Sequence, residues 1–501
     1  MLTPKNNLFP IRNDILTRVA ASFFADRFAH IDDVPAQVLP DGSQCYHCNI
    51  ENDRDIVRQI CMAVLGFSPA DEEGSKRPLH DYAAQALKRE KLEPSKISVI
   101  NSACMACRKE RYIVSDLCRA CIARPCQVNC PKNAISFVNG KAFIDQDLCI
   151  KCGRCHDVCP YSAIIKNVIP CEDSCPVGAI TKDQAGKEHI DPEKCISCGK
   201  CLKSCPFGAI VERSQMVDVL KAMHETDKQV IAMVAPAIIG QFGGTVNNLV
   251  GALKAAGFDD VIEVAVGADI TTKNEAAEFI ERMEEGKKFM TTSCCPAYYR
   301  AAQLHIPEIK EYVSSTKTPM YYTAELVKKE HPQSVAVFVG PCFAKRVEAE
   351  TDPNVDYVLT FEEMNAIFSG ANINVATAEP AEFTTVSCAQ GRGFPLTGGV
   401  AGAVASLVEG KVDIRPEKID GLSTENIKLL KRYATKGCEC NMIEVMSCPG
   451  GCIGGAGTIA DPVRTAAVLN KYVKDATFTD PEQSAFMSNI HMLKDDPNFE
   501  V

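Results

Sequence analysis

The chain is 501 residues long, 46% hydrophobic and 24% charged, with 27 cysteines, no tryptophan and a formal net charge of -10. That composition excludes a disordered chain, the length points to roughly two to four domains, and the acidic balance argues against nucleic acid or an anionic membrane as partner, since both require a clustered cationic surface. The longest apolar stretches, 230–239 and 396–408, are shorter than the ~20 residues of a spanning helix, and Lys5, Arg12, Asp14 and Arg18 interrupt any signal-peptide core, so a cytoplasmic protein is expected.

Residues 1–100 carry helical periodicity (Ile15, Val19, Phe23, Phe24, then Ile56, Ile60, Val64, Leu65) and read as a helical N-terminal accessory region. Cys45, Cys48 and Cys61 fall in it, the first two as a thiol pair or an incomplete small metal site and the third as a buried helical residue. Nineteen cysteines precede residue 206, eight follow residue 290 and none lies between, so the chain divides by its chemistry. In a reducing compartment such a count points to metal and not to disulfides. Thiolates in quantity select zinc, copper(I) or iron–sulfur clusters.

Residues 101–213 repeat the block C-P-x-x-A-I four times, beginning at Cys130, Cys159, Cys175 and Cys205. Two blocks end complete C-x-x-C-x-x-C-x-x-x-C-P runs, Cys149/Cys152/Cys155/Cys159 and Cys195/Cys198/Cys201/Cys205. This is the spacing with which bacterial-type ferredoxins hold three corners of one cubane and lend the fourth cysteine to its neighbour. Cys118/Cys121/Cys126/Cys130 follows the same logic with a longer spacer, while Cys171/Cys175 lacks the C-x-x-C just upstream and leaves Cys104 and Cys107 as a spare pair. The expected sets are Cys118, Cys121, Cys126 with Cys159; Cys149, Cys152, Cys155 with Cys130; Cys195, Cys198, Cys201 with Cys175; and Cys104, Cys107, Cys171 with Cys205. They would make four accessory 4Fe4S clusters, zinc being the alternative for any C-x-x-C pair.

Residues 214–501 alternate strand-like and helical runs and read as α/β. Three segments follow apolar runs there: Thr292-Ser293-Cys294-Cys295-Pro296, Gly340-Pro341-Cys342 through Lys345 to Glu348, and Glu444-Val445-Met446-Ser447-Cys448-Pro449-Gly450-Gly451-Cys452 running on to Gly454-Gly455. Loops after strands of an α/β layer converge on one crevice. Cys295, Cys342, Cys448 and Cys452 could therefore hold one further cubane, with the glycines at 450, 451, 454 and 455 allowing close approach of backbone to it; the alternative is cysteine as a small core hydrophobe.

These segments resemble the three signature motifs of the FeFe-hydrogenases, in the family's order. The resemblance implies a two-lobed α/β catalytic domain of the iron hydrogenase large-subunit type over 214–501, preceded by α+β bacterial ferredoxin-like repeats over 101–213 and the helical N-terminal region. It also implies reversible reduction of protons to H2, as in a ferredoxin hydrogenase, with ferredoxin or a similar electron carrier and radical-enzyme maturation factors as partners. Cys295, Cys342, Cys448 and Cys452 would then bind the cubane of an H-cluster, whose two-iron unit carries CO, CN and an azadithiolate. Lys345 would bond a cyanide, and Ala235, Pro236, Phe394 and Met446 would line the two-iron site. Arg282, Glu278, Ser314, Glu275 and Cys294 match the family's proton relay, although by pattern alone the glutamates of a helix expected over 272–285 read as a solvated acidic face. Gly340, Met320 and Tyr298 depart from the much-studied members, as does the run Gly455-Ala456-Gly457-Thr458, and the chain looks like the subgroup often called group B. An H2 sensor on the same scaffold and a hydrogenase-like iron–sulfur assembly protein are the alternatives.

Overall fold

A computed structural model describes residues 8–46, 49–69, 72, 76–225, 227–479 and 481. Cys48 lies outside the described residues. Strand Val230–Val234, fully buried and free of charge, is flanked in parallel by Asp260–Glu263 on one side and by Val335–Val339 and then Tyr357–Leu359 on the other. An apolar run buried on both faces is what a central parallel strand requires. A second parallel sheet places Met442–Met446 between Met290–Thr291 and Pro416–Asp420. Helix Ala265–Glu284 begins seven residues before the helix expected from the sequence and runs between the helices Pro319–Glu330 and Gly399–Val408.

Residues 97–212 form two modules of one design: strand, helix, hairpin, helix, strand, with the outer strands paired antiparallel. In the first, Tyr112–Val114 pairs with Ile164–Lys166 around the hairpin Ile135–Val138/Lys141–Ile144. In the second, Ile97–Val99 pairs with Ile210–Glu212 around Ile180–Lys182/Glu188–Ile190. The first module is thus inserted whole into the second, between Cys107 and Cys171. The C-x-x-C that Cys171 lacks just upstream in sequence is Cys104/Cys107, on the far side of the insertion.

Helices Leu8–Phe24, Ile50–Val64 and Leu79–Lys88 cover the other side of the α/β region, the first packing along Phe361–Gly370. Cys61 is fully buried in the second of them, and burial pushes its thiol up to about 12. Arg346, 1% exposed, fastens the parts together: it bridges Glu212 of the second module (2.9 Å) and Glu363 of the α/β region (2.6 Å), and donates to the Arg213 and Val358 carbonyls. No helix among the described residues is long and apolar enough to cross a membrane.

Candidate metal centre and proton path

The C-P-x-x-A-I block has a local physical cause. The residue before each alanine, Asn133, Ser162, Gly178 or Gly208, has φ between 49 and 64°. This left-handed step turns the next amide back onto the cysteine: Ala134, Ala163 and Ala179 donate N–H to the sulfurs of Cys130, Cys159 and Cys175 at 3.2 to 3.4 Å, and Ala209 does the same for Cys205. Each following isoleucine is buried. The C-x-x-C loops are equally uniform, since Ala106, Ala120, Lys151 and Ser197, each just before the second cysteine, have φ from 46 to 59°. A non-glycine residue rarely enters that region, so the same conformation at four sites marks one loop design, shared by Cys104/Cys107.

The loops bring the expected cysteines together. Cys118, Cys121, Cys126 and Cys159 line one cavity of about 350 Å³, and Cys130, Cys149, Cys152 and Cys155 another of about 330 Å³. Burial, then Glu188, then the Cys205 and Cys107 sulfurs, push the Cys171 thiol up to about 12. Burial, followed by Cys198, Cys195 and Cys175, raises Cys201 likewise. Each set is one of those expected from the sequence.

Between the two parallel sheets lies a cavity of about 880 Å³ onto which all three motif loops open. Cys295, Cys342, Cys448 and Cys452 line it from one side, with Cys198 of the second module close by; Ala235, Pro236, Phe394 and Met446 line the rest. Cys452 is pushed up to about 12 by burial and then by Cys295, and Cys342 and Cys448 are raised by burial and by the same group of sulfurs. What the four thiols share is a volume and not a point: among the described residues no three His, Cys, Asp or Glu converge as they would on a single ion. Four cysteines on one cavity, three of them with thiols raised by burial and by neighbouring sulfurs, suit a multinuclear cationic group that takes all four as thiolates.

Gly451 and Gly455 line the cavity, and they also pack the loops around it. A Cβ on Gly451 (φ 87°) would stand 2.2 Å from the Pro395 carbonyl oxygen, and one on Gly455 2.6 Å from that of Pro341, so they let three protein loops close on one another. Gly199, beside Cys198, meets Phe343 and Ala456 in the same way, seating the second module on the cavity wall. Lys200 and Lys203 pin that contact by donating to the Leu422 and Gly455 carbonyls, both at 2.6 Å. Gly340 leaves space for the Phe338 ring, which lines the cavity and would be 2.3 Å from a Cβ there. Met320 lines the cavity as well, whereas Tyr298 is buried behind it, hydrogen-bonded to Thr291 at 2.8 Å.

Lys345 is 8% exposed and lines the cavity. Its ammonium donates to Glu348 at 2.7 Å and to the Thr318 hydroxyl at 3.0 Å, so the motif glutamate is its counter-charge, a role the sequence reading did not assign.

The outer relay residues connect. Arg282 pairs with Glu278 at 2.7 Å, and the Ser314 hydroxyl donates to Glu278 at 2.6 Å. Ser315 and Thr316, which the sequence reading passed over, donate further bonds from amide and hydroxyl, and these hold the Glu278 carboxyl below its usual range against its burial. Glu275 is fully buried, which corrects the solvated acidic face expected from pattern alone: the helix lies inside the fold and its face toward Ser293 is dry. Burial pushes Glu275 up to about 8 against the bond it accepts from the Ser293 amide at 3.3 Å. Cys294 lines the cavity, raised by burial and then by Glu275.

Three cysteines after residue 290 lie outside these sets. Cys388 donates to Asp269 at 2.8 Å, directly behind cavity-lining Gly391, and Cys438 lies beside Cys440 and donates to its carbonyl at 3.1 Å.

Comparison with known families is decisive at this point. Residues 228–456 match the iron only hydrogenase large subunit, C-terminal domain. That similarity covers just under half of the chain. Ahead of it, residues 170–209 match a 4Fe-4S dicluster domain and 118–169 the LdpA Fe-S cluster-binding domain, the first in the second module and the other in the inserted one. The chain is similar to iron hydrogenase 1 of Clostridium pasteurianum, 28% identical over 49% of this chain and 53% of that one. It is similar also to the NADP-reducing hydrogenase subunit HndD of Solidesulfovibrio fructosivorans, 29% identical over 64% of this chain and 65% of that one. It thus spans about half to two thirds of these relatives' lengths. The hydrogenase domain is shared with another group, represented by the cytosolic Fe-S cluster assembly factor NAR1 of Eremothecium gossypii, 23% identical over 40% of this chain and 58% of that one.

Proposed function

We propose that this protein is an FeFe-hydrogenase that interconverts protons and H2, with electrons passing along four accessory 4Fe4S clusters to or from ferredoxin or a similar carrier. The observation that carries this reading is the convergence on one cavity of four cysteines, one lysine and the inner end of a buried proton path. An iron–sulfur cluster alone needs the cysteines; it has no use for a line of carboxyl and hydroxyl groups leading to it.

Cys295, Cys342, Cys448 and Cys452 would hold the H-cluster cubane, with Cys452 joining it to the two-iron unit against Ala235, Pro236, Phe394 and Met446. When bound, the group supplies electrons and an open iron site for proton reduction. The protein's own residues do the rest. Arg282 and the hydroxyls of Ser314, Ser315 and Thr316 fix Glu278 as an ionised outer station, Ser314 bridges to Glu275, and the neutral carboxyl of Glu275 passes a proton to Cys294 at the cavity wall. Lys345, held by Glu348 and Thr318, offers an ammonium to an anionic ligand.

The strands order the accessory sets. Cys198 stands at the cavity, so the Cys175 set is innermost, followed by the Cys205 set and then the inserted module. Maturation by radical enzymes and residence in the cytoplasm, where thiols in such number stay reduced, belong to the same proposal. The second reading, an iron–sulfur assembly protein, rests on the similarity to NAR1. Infrared spectra of the anaerobically matured chain separate the two. Carbon monoxide and cyanide bands are expected; a protein with its full iron–sulfur content but no such bands after maturation would be an assembly protein.

A further inference from the structure

We propose that the far tip of the inserted module is a docking surface for an acidic electron-transfer protein; this rests on the electron-wire reading above and says where the wire ends and what meets it.

The order of the sets within the module follows from its strands. Tyr112 pairs with Lys166 at the end joined to the second module, where Asn167 donates to the Arg111 carbonyl at 2.7 Å and Arg111 meets Asp173 at 3.2 Å. Tyr112 also lines the cavity of Cys130, Cys149, Cys152 and Cys155, which makes that set the inner one. From the opposite end, Val114 against Ile164, the strands lead through Ser115 and Ala163 to Cys118 and Cys159. The set Cys118, Cys121, Cys126 and Cys159 therefore terminates the wire.

That end is apolar and cationic. Ile122 is 101% exposed, Val128 79%, Leu117 58% and Tyr161 50%, all close in sequence to the terminal cysteines. Large apolar side chains this exposed, gathered at one site, mark an interaction surface. Residues 117–144 contain four Lys or Arg and no Asp or Glu, in a chain whose net charge is -10. Arg119 and Arg124 are both exposed, and the Arg124 guanidinium lies 4.2 Å from the centre of the Phe137 ring. Lys141 is already paired, with Asp116 at 2.6 Å, and Lys132 lines the cavity of the inner set, which leaves the two arginines as the charges of the tip. A cationic rim around exposed apolar side chains, at the terminal cluster of an otherwise acidic protein, selects an acidic carrier, which the chain's own acidic body repels from its other faces.

The test uses the full chain with its accessory clusters and an acidic two-cluster bacterial-type ferredoxin as probe, reduced and mixed anaerobically, with bleaching of the chain's cluster absorbance as the readout. H2 turnover plays no part in it, so a chain that bleaches normally but makes no H2 would refute the hydrogenase reading and leave the docking surface standing. The bimolecular rate should fall as salt rises. The double variant Arg119→Glu/Arg124→Glu should lower it about tenfold or more at low salt, with iron content and dithionite bleaching as in the parent. Ile122→Ser should lower it with little change in the salt dependence. Equal rates in all three proteins, faster transfer from a basic carrier than from the acidic one, or self-association of the chain that the variants abolish would each overturn the proposal.

Discussion

The Ser293 amide donates to one oxygen of Glu275 at 3.3 Å, and the other oxygen of that carboxyl is buried without a partner. Buried carboxyl oxygens are normally satisfied, and an unpartnered one beside Cys294 is where a proton would be held for transfer. Glu275→Gln keeps the shape and removes the exchangeable proton. It should retain full iron content and lose turnover about 10²-fold or more in both directions. Unchanged rates would remove Glu275 from the path.

The same carboxyl should be protonated at pH 7, because burial raises it to about 8 from an ordinary 4.5. Infrared difference spectra between parent and Glu275→Gln should show a carboxylic acid band that fades as pH passes about 8. For stability the sign follows from proton binding: between about 4.5 and about 8 the folded state keeps this proton while the unfolded chain loses it, so the group's contribution to stability falls as pH rises through that window. A carboxylate spectrum at pH 6 would refute this.

Cys294 and Cys295 are adjacent, and they separate transfer from ligation. Cys294→Ser substitutes a hydroxyl of much higher pKa and should assemble every cluster while losing most turnover; Cys295→Ser should impair assembly itself. The reverse outcome would exchange their roles.

Cys107 and Cys171 share one cluster only if the inserted module divides their loop. Cys107→Ala and Cys171→Ala should each remove the same ~4 irons, and the double variant no more than either alone. Additive losses would place them in different sites.

Arg346 lies between Glu212 and Glu363 with all three side chains nearly inaccessible. Arg346→Met leaves two buried carboxyls without their cation and should cost about 3–5 kcal/mol in denaturant unfolding. A loss under about 1 kcal/mol would mean that the joint between module and catalytic region lies elsewhere.

Short-range chemistry was the legible part. The Cys-Pro blocks could be read because each is a self-contained turn, with a left-handed residue and an amide aimed at its own cysteine, and the grouping of cysteines followed from their spacing. Nesting was hidden, because Ile97–Val99 and Ile210–Glu212 are neighbours in a ladder though they stand far apart in the chain. The state of Glu275 was hidden for a related reason: its helix is polar enough to pass for a surface helix, and only the packing of Pro319–Glu330 and Gly399–Val408 on either side shows that it is enclosed. The partner of Lys345 could have been found, since Glu348 lies three residues on in the same helix, where side chains meet.

H2 evolution from reduced methyl viologen by the anaerobically matured chain tests the central claim most directly. The account predicts sustained turnover that Glu275→Gln and Cys294→Ser largely abolish while their iron content and infrared bands persist; a fully matured protein with every cluster in place and no H2 production would contradict it.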